Sequence, residues 1–263
     1  MKHGLYVTLW LVMFFVIAQL VGVLVVSKYL AVEELPYGIE RPEIEEETSY
    51  IPIAIAIIIA TGLALLIMKL GVLKLWKAWF FLGAVITMLI AFGAFVSQSI
   101  ALVLAAVLAV FKVFKPNVYV HNFTELFIYS GIAGLFVPLM GLLAIFILLI
   151  LISIYDMVAV WKTKHMISLA KFQSKAKVFA GLMIPYDKGK KTAILGGGDI
   201  GFPMLFVGVV LKSTGVLDAF LVILFAAIAL LLLFFYSKKN KFYPAMPYLT
   251  VGCFAGYLVG LLI

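Results

Sequence analysis

Long apolar runs alternate with short polar connections along this chain, and the runs have lengths that a bilayer sets. A spanning helix needs about 20 apolar residues at 1.5 Å each. Residues 5–27, 51–68, 217–236 and 243–263 satisfy this directly. Residues 78–111 carry no charge and would make about 50 Å of helix against a hydrocarbon core of about 30 Å, which predicts two spans turning at Ser97, Gln98 and Ser99. Residues 126–161 are likewise too long for one crossing, and Pro138 with Gly141 supplies the break. A further span, 194–211, begins in a glycine cluster. The pattern predicts an all-α polytopic membrane protein with nine transmembrane helices. Helices one to six occupy about 5–161, a connection covers 162–193, and helices seven to nine occupy about 194–263.

Composition agrees, since 66% of the 263 residues are apolar and only 12% are charged. The longest polar connections, 31–50 and 162–193, are too short to fold alone, so the chain reads as one membrane domain. The first run is too long for a signal-peptide core and lacks a clear cleavage site, so it reads as an uncleaved helix. Cys253, the single cysteine, excludes an internal disulfide and sits in the last run as a packing residue.

The formal charge of +8 does not point to nucleic acid, because the basic residues are scattered in short connections rather than gathered in a phosphate-binding patch. They report orientation instead. With the N-terminus inside, 17 of the 20 fall in cytoplasmic connections and only Lys28, Arg41 and Lys212 lie outside. The first external connection is acidic, holding Glu33, Glu34, Glu40, Glu43, Glu45, Glu46 and Glu47. The N-terminus is therefore expected to be cytoplasmic and the C-terminus external. Asn122-Phe123-Thr124 then faces the cytoplasm, where no glycan is expected.

Of the remaining acids, Glu125 and Asp218 are placed at helix ends and Asp187 in the large cytoplasmic connection, which leaves Asp156 and Asp199 inside spans. A carboxylate at bilayer depth costs roughly 2.5 to 3.5 kcal/mol, so both should face protein or a water-filled cavity. Asp156 lies about 9 Å above the cytoplasmic end of helix six, and Asp199, eight residues beyond Lys191, lies about 12 Å from the same side, counting 1.5 Å per residue. The depths match. Gly196, Gly197, Gly198 and Gly201 are expected to let helix seven approach helix six closely. Two adjacent carboxylates that share a proton provide a base for water and an acid for a peptide carbonyl, without metal or covalent intermediate. The same pair is equally at home as a proton or cation relay in a transporter, and inert acids in a scaffold form a third reading.

Three short motifs separate these. Tyr155-Asp156 in helix six, Gly196-Gly197-Gly198-Asp199 in helix seven and Pro244-Ala245-Met246 at the start of helix nine resemble the YD, GxGD and PAL motifs of the presenilin and signal peptide peptidase family of GxGD intramembrane aspartyl proteases. The resemblance extends over most of the chain, since nine spans with motifs in the sixth, seventh and ninth are the family architecture. It implies an endopeptidase that hydrolyses peptide bonds within transmembrane segments, with Asp156 and Asp199 as the catalytic pair. It further implies substrate-binding roles for Tyr155, Gly196, Gly197, Gly198, Pro244, Ala245 and Met246. The third motif reads PAM rather than PAL, a change that conserves bulk. The N-in orientation is similar to presenilins, and the short external connection looks like a microbial homologue.

No metal and no cofactor is expected: there is no HExxH, no GxSxG, and His3, His121 and His165 are far apart and read as interfacial. The implied partners are transmembrane-helix substrates and the bilayer of the cell membrane. No nucleic acid is expected, and homo-oligomerisation is left open. Pro244 and Pro247 each remove a backbone donor where an extended substrate could pair. The connection 162–193 reads as an interfacial linker whose apolar stretch 178–185 lies at the membrane surface, with self-cleavage of this connection as a sharper alternative.

Overall fold

Backbone polar groups in a bilayer have to be satisfied within their own segment, so the apolar runs fold as helices. The computed structural model describes residues 4–263 other than 33, 177, 188, 190 and 239–241. Lys2, His3, Glu33, Lys177, Lys188, Lys190, Lys239 and Lys241, which entered the sequence reading, lie outside the described residues. The helices are α1 (Leu5–Ala31), α2 (Tyr50–Leu70), α3 (Leu73–Gly93), α4 (Gln98–Phe114), α5 (Val118–Phe136) and α6 (Leu142–Met157). After α7 (His165–Ala176) come two strands, β1 (Gly181–Tyr186) and β2 (Lys191–Gly196). The chain closes with α8 (Gly197–Ser213), α9 (Val216–Tyr236) and α10 (Met246–Gly260).

Among the described residues six helices are long and apolar enough to cross a membrane, and Gln98–Phe114 and Met246–Gly260 are shorter apolar helices. The breaks fall where the sequence placed them, at Ser97 before α4 and at Pro138 and Gly141 between α5 and α6. The polar connections meet one another in two groups. In one, Lys212 Nζ at the end of α8 lies 2.8 Å from Glu46 Oε1 and 3.0 Å from the Pro138 carbonyl. The Tyr37 N–H donates to Gln98 Oε1 at 3.1 Å in the same way. In the other, residues 178–183 contact α3 and the first turns of α5.

Helix α5 is central and packs on α1, α3, α8 and β1. Lipid chains are as apolar as leucine, so close packing rather than burial from water holds such a bundle together. Phe146 of α6, Phe206 of α8 and Phe254 of α10 illustrate this, with ring centroids 4.6 to 5.6 Å apart. Helix α2 is peripheral, only 11% of its apolar window being buried.

The all-α expectation needs correction at residues 162–196, which include the antiparallel pair β1–β2, with Gly181 opposite Gly196 and Tyr186 opposite Lys191. The stretch 178–185 is in part packed into the protein: Val178, Phe179 and Leu182 are buried. Trp76 Nε1 reaches the Val178 carbonyl at 3.5 Å, and its ring packs edge-on against Phe172. The sequence signal was present, since two apolar runs flank a polar Asp-Lys-Gly turn in which Gly189 adopts φ +81°.

Candidate active site

Asp156 sits in the last regular turn of α6, after which the chain loosens into a π-helical turn at Val158–Lys162. One turn earlier, the Ser153 hydroxyl lies 2.8 Å from that of Thr250, which ties α6 to α10. Asp156 is 8% exposed, and its Oδ2 accepts the Met246 N–H at 3.1 Å. That N–H is one of the orphan donors at the start of α10, where no local side chain caps the helix. Asp156 therefore does the work of a capping residue from another helix, and so the Pro244-Ala245-Met246 segment lies against it.

Asp199 is held differently. Strand β2 runs directly into α8, with Gly196 as the N-cap and Asp199 in the first helical turn. The Gly197 N–H donates to the Ala180 carbonyl at 3.1 Å, which fixes the strand-to-helix junction to the entry of β1. The Asp199 carboxylate folds back over Gly196, where a Cβ would stand 3.2 Å from Oδ2. Further along, Pro203 lacks the N–H that would have bonded the Asp199 carbonyl. The buried Gln19 amide of α1 donates to the next carbonyl, that of Ile200, at 3.0 Å.

Both aspartates line one cavity of about 420 Å³. Tyr155, Gly196, Gly197, Gly198, Ala245 and Met246 share its wall, together with Tyr129, Phe202 and Tyr243. Of the nine residues given catalytic or substrate-binding roles from sequence, only Pro244 is absent from the lining; it is buried beside it. The Tyr155 hydroxyl lies 3.0 Å from His165 Nε2, and the Thr163 hydroxyl 2.6 Å from Nδ1. Burial lowers the His165 pKa below its ordinary value, so at neutral pH the uncharged ring donates from one nitrogen and accepts at the other.

Two expectations need correction. Gly197 and Gly201 do face a close neighbour, but it is α5 rather than α6: a Cβ on Gly197 would overlap the Tyr129 hydroxyl, and one on Gly201 would touch the Tyr129 ring at 3.5 Å, whereas Gly196 and Gly198 meet only Asp199 and Phe202 of α8 itself. Glu125 is not at a helix end, and neither it nor His121 is exposed. Because α5 begins at Val118, capped by Asn117, both are buried inside the bundle. Glu125 Oε1 lies 2.6 Å from Lys112 Nζ, and Oε2 accepts the Tyr129 hydroxyl and, at 2.9 Å, the Gly181 N–H. His121 Nε2 is 2.7 Å from the Gly181 carbonyl, and the Asn122 amide bonds both the N–H and the carbonyl of Met183. Side chains of α5 thereby satisfy one edge of β1 while β2 satisfies the other. Spacing was the overlooked signal, because His121, Glu125 and Tyr129 recur every four residues on one helix face.

The glycine geometry makes a graded prediction. Gly197→Ala should unfold at clearly lower temperature in detergent than the parent protein, whereas Gly198→Ala, whose Cβ would meet only Phe202 at 3.4 Å, should stay close to it. Equal melting temperatures for the two variants would contradict the packing described.

A family model described as signal-peptide peptidase, presenilin aspartyl protease matches residues 12–263. Among solved structures, two of a presenilin family intramembrane aspartate protease, in C222 and P2 crystal forms, superpose with TM-scores of 0.68 and 0.70. Their identities are 20% and 21%; the first pairing covers 97% of this chain and 98% of the other, the second 97% of each. At that identity the likeness establishes a common fold. Among curated proteins none matches.

Proposed function

The chain belongs to the signal-peptide peptidase and presenilin family of aspartyl proteases, and from that premise we propose that it hydrolyses peptide bonds within transmembrane segments through Asp156 and Asp199. The observation that carries this is the single cavity lined by both carboxylates and by residues of all three motifs. One carboxylate takes a proton from a water lodged between them as that water attacks the scissile carbonyl, and the other protonates the carbonyl oxygen. The first carboxyl group then gives its proton to the amide nitrogen while the second takes one back from a hydroxyl of the tetrahedral species, so that the C–N bond breaks and the amine leaves. A substrate helix hides its carbonyls in its own hydrogen bonds, so the segment being cut has to be extended. Tyr155, Gly196 to Gly198 and Pro244 to Met246 are proposed to receive it.

The protein is an integral membrane protein, with membrane-embedded proteins as substrates. We place it in the cell membrane as one domain of nine crossings, N-terminus inside, with homo-oligomerisation left open. The two groups of connections support this: Lys212, Glu46, Pro138, Tyr37 and Gln98 would lie outside, and Trp76, His121 and Val178 inside. In a Cys253→Ser background, a cysteine at Glu43 should react with an impermeant thiol reagent on intact cells, and one at Lys115 only after permeabilisation. The reverse pattern would invert the topology.

A proton or cation pathway through the same acids finds no support in the comparisons. Purified protein in liposomes should cut a helical membrane substrate, and Asp156→Asn or Asp199→Asn should not. Absence of product across several substrates and pH values, with ion flux that depends on the two acids, would overturn the proposal in favour of transport.

A further inference from the structure

We infer that Tyr129 is a positioning residue for Asp199, set in place by the buried carboxylate of Glu125. This rests on the aspartyl-protease reading and adds a residue to it from outside the three motifs. Glu125 is 1% exposed and stands where α4, α5 and β1 meet, bonded to Lys112 Nζ, the Tyr129 hydroxyl and the Gly181 N–H. Through Tyr129 the same carboxylate reaches α8. The phenol rests on Gly197, where a Cβ would be only 2.9 Å from Cζ, and the ring edge continues along Gly201. Gly197 is also bonded to Ala180, the residue before Gly181. Both sides of the strand-to-helix junction are thus fixed to one carboxylate, two residues before Asp199.

Packing alone does not explain this arrangement, because a phenylalanine would fill the same volume without a hydroxyl to satisfy. A buried acid and lysine are also costly to desolvate relative to apolar side chains of similar size. What the hydroxyl adds is direction: its bond to Glu125 fixes the tilt of the ring, and the ring fixes the first turn of α8. Tyr129 also forms part of the cavity wall, so a shift of the ring moves that wall together with Asp199.

The test compares the full-length parent protein and Tyr129→Phe in liposomes, with active sites titrated by a hydroxyl-bearing transition-state isostere. The expected result is a fall of about tenfold in kcat per titrated site with KM within about twofold, the pattern of a misplaced reacting group rather than of lost binding. Hydrogen exchange at the amides of residues 197–201 should rise in the same variant. Unchanged kcat per site, or a loss that lies wholly in the number of titratable sites, would overturn the inference. If Tyr129→Phe does not fold, Lys112→Met/Glu125→Gln/Tyr129→Phe removes the charges with the hydroxyl, and parent-like kcat there would overturn it equally. Should the parent protein itself cut nothing, the protease reading fails separately and exchange decides: a rise at 197–201 supports the positioning, and no change refutes it.

Discussion

Asp156→Asn and Asp199→Asn are each expected to lower kcat by about 10⁴-fold or more, and the double variant to be no slower than either single one. The two carboxylates line one cavity, and in the proposed mechanism they act on one water and one carbonyl, so removing either removes the whole function. Groups that act as a unit give strongly non-additive losses, whereas two independent sites would multiply. The substitution leaves the fold in place. An asparagine at 156 keeps a carbonyl oxygen for the Met246 N–H, so the start of α10 stays capped. Asp199 has its backbone held by the β2–α8 junction, and an asparagine there keeps an oxygen for the Gly196 N–H. Thermal unfolding should therefore be close to that of the parent protein while product formation in liposomes disappears. A variant retaining more than about one hundredth of parent activity would remove that residue from the reacting pair.

Glu125→Gln is expected to be the most destabilising single change to a charged side chain, and Lys112→Met/Glu125→Gln to recover most of the loss. Both ends of the ion pair are buried, with side chains 1% exposed. Removing one partner leaves a desolvated charge, which costs about 3 to 5 kcal/mol, whereas replacing both with apolar or neutral groups of similar size is close to neutral. Glutamine can still accept from Tyr129 and Gly181, so the loss isolates the unpaired ammonium. The contrast is Lys212–Glu46, whose side chains are 25% and 56% exposed; Glu46→Gln should cost about 1 kcal/mol or less. Unfolding in detergent, followed with all four proteins, decides this. If Glu125→Gln and the double variant are equally unstable, the unpaired ammonium is not the source of the loss and this account of the ion pair fails.

How much of this was legible in the sequence depends on the residue. Run length located most of the helices, because hydrocarbon thickness leaves few alternatives. Depth counting brought Asp156 and Asp199 to one level, and both line one cavity. Gly197 and Gly201 meet α5 and not α6: close packing is readable in their absence of a side chain, but which helix fills the space depends on the three-dimensional order of α5, α6 and α8. Glu125 was set at a helix end because the charge was taken to mark the end of the apolar run. Reading Asn117 as an N-cap would have placed it two turns inside, facing Lys112. The hairpin is legible in its turn but not in the composition of its strands, because apolar strands that pack inside a membrane protein resemble an interfacial apolar segment. The capping of α10 by Asp156 joins residues 90 positions apart, which no local pattern encodes.

The most direct measurement of the central claim is the binding of a hydroxyl-bearing transition-state isostere, whose hydroxyl would take the place of the attacking water between the two acids. The parent protein should bind it tightly, and Asp156→Asn and Asp199→Asn should each lose at least about a hundredfold in affinity, since a transition-state analogue engages both members of the pair. Equal affinity in the parent protein and both variants would contradict the assignment of these two aspartates as the catalytic pair.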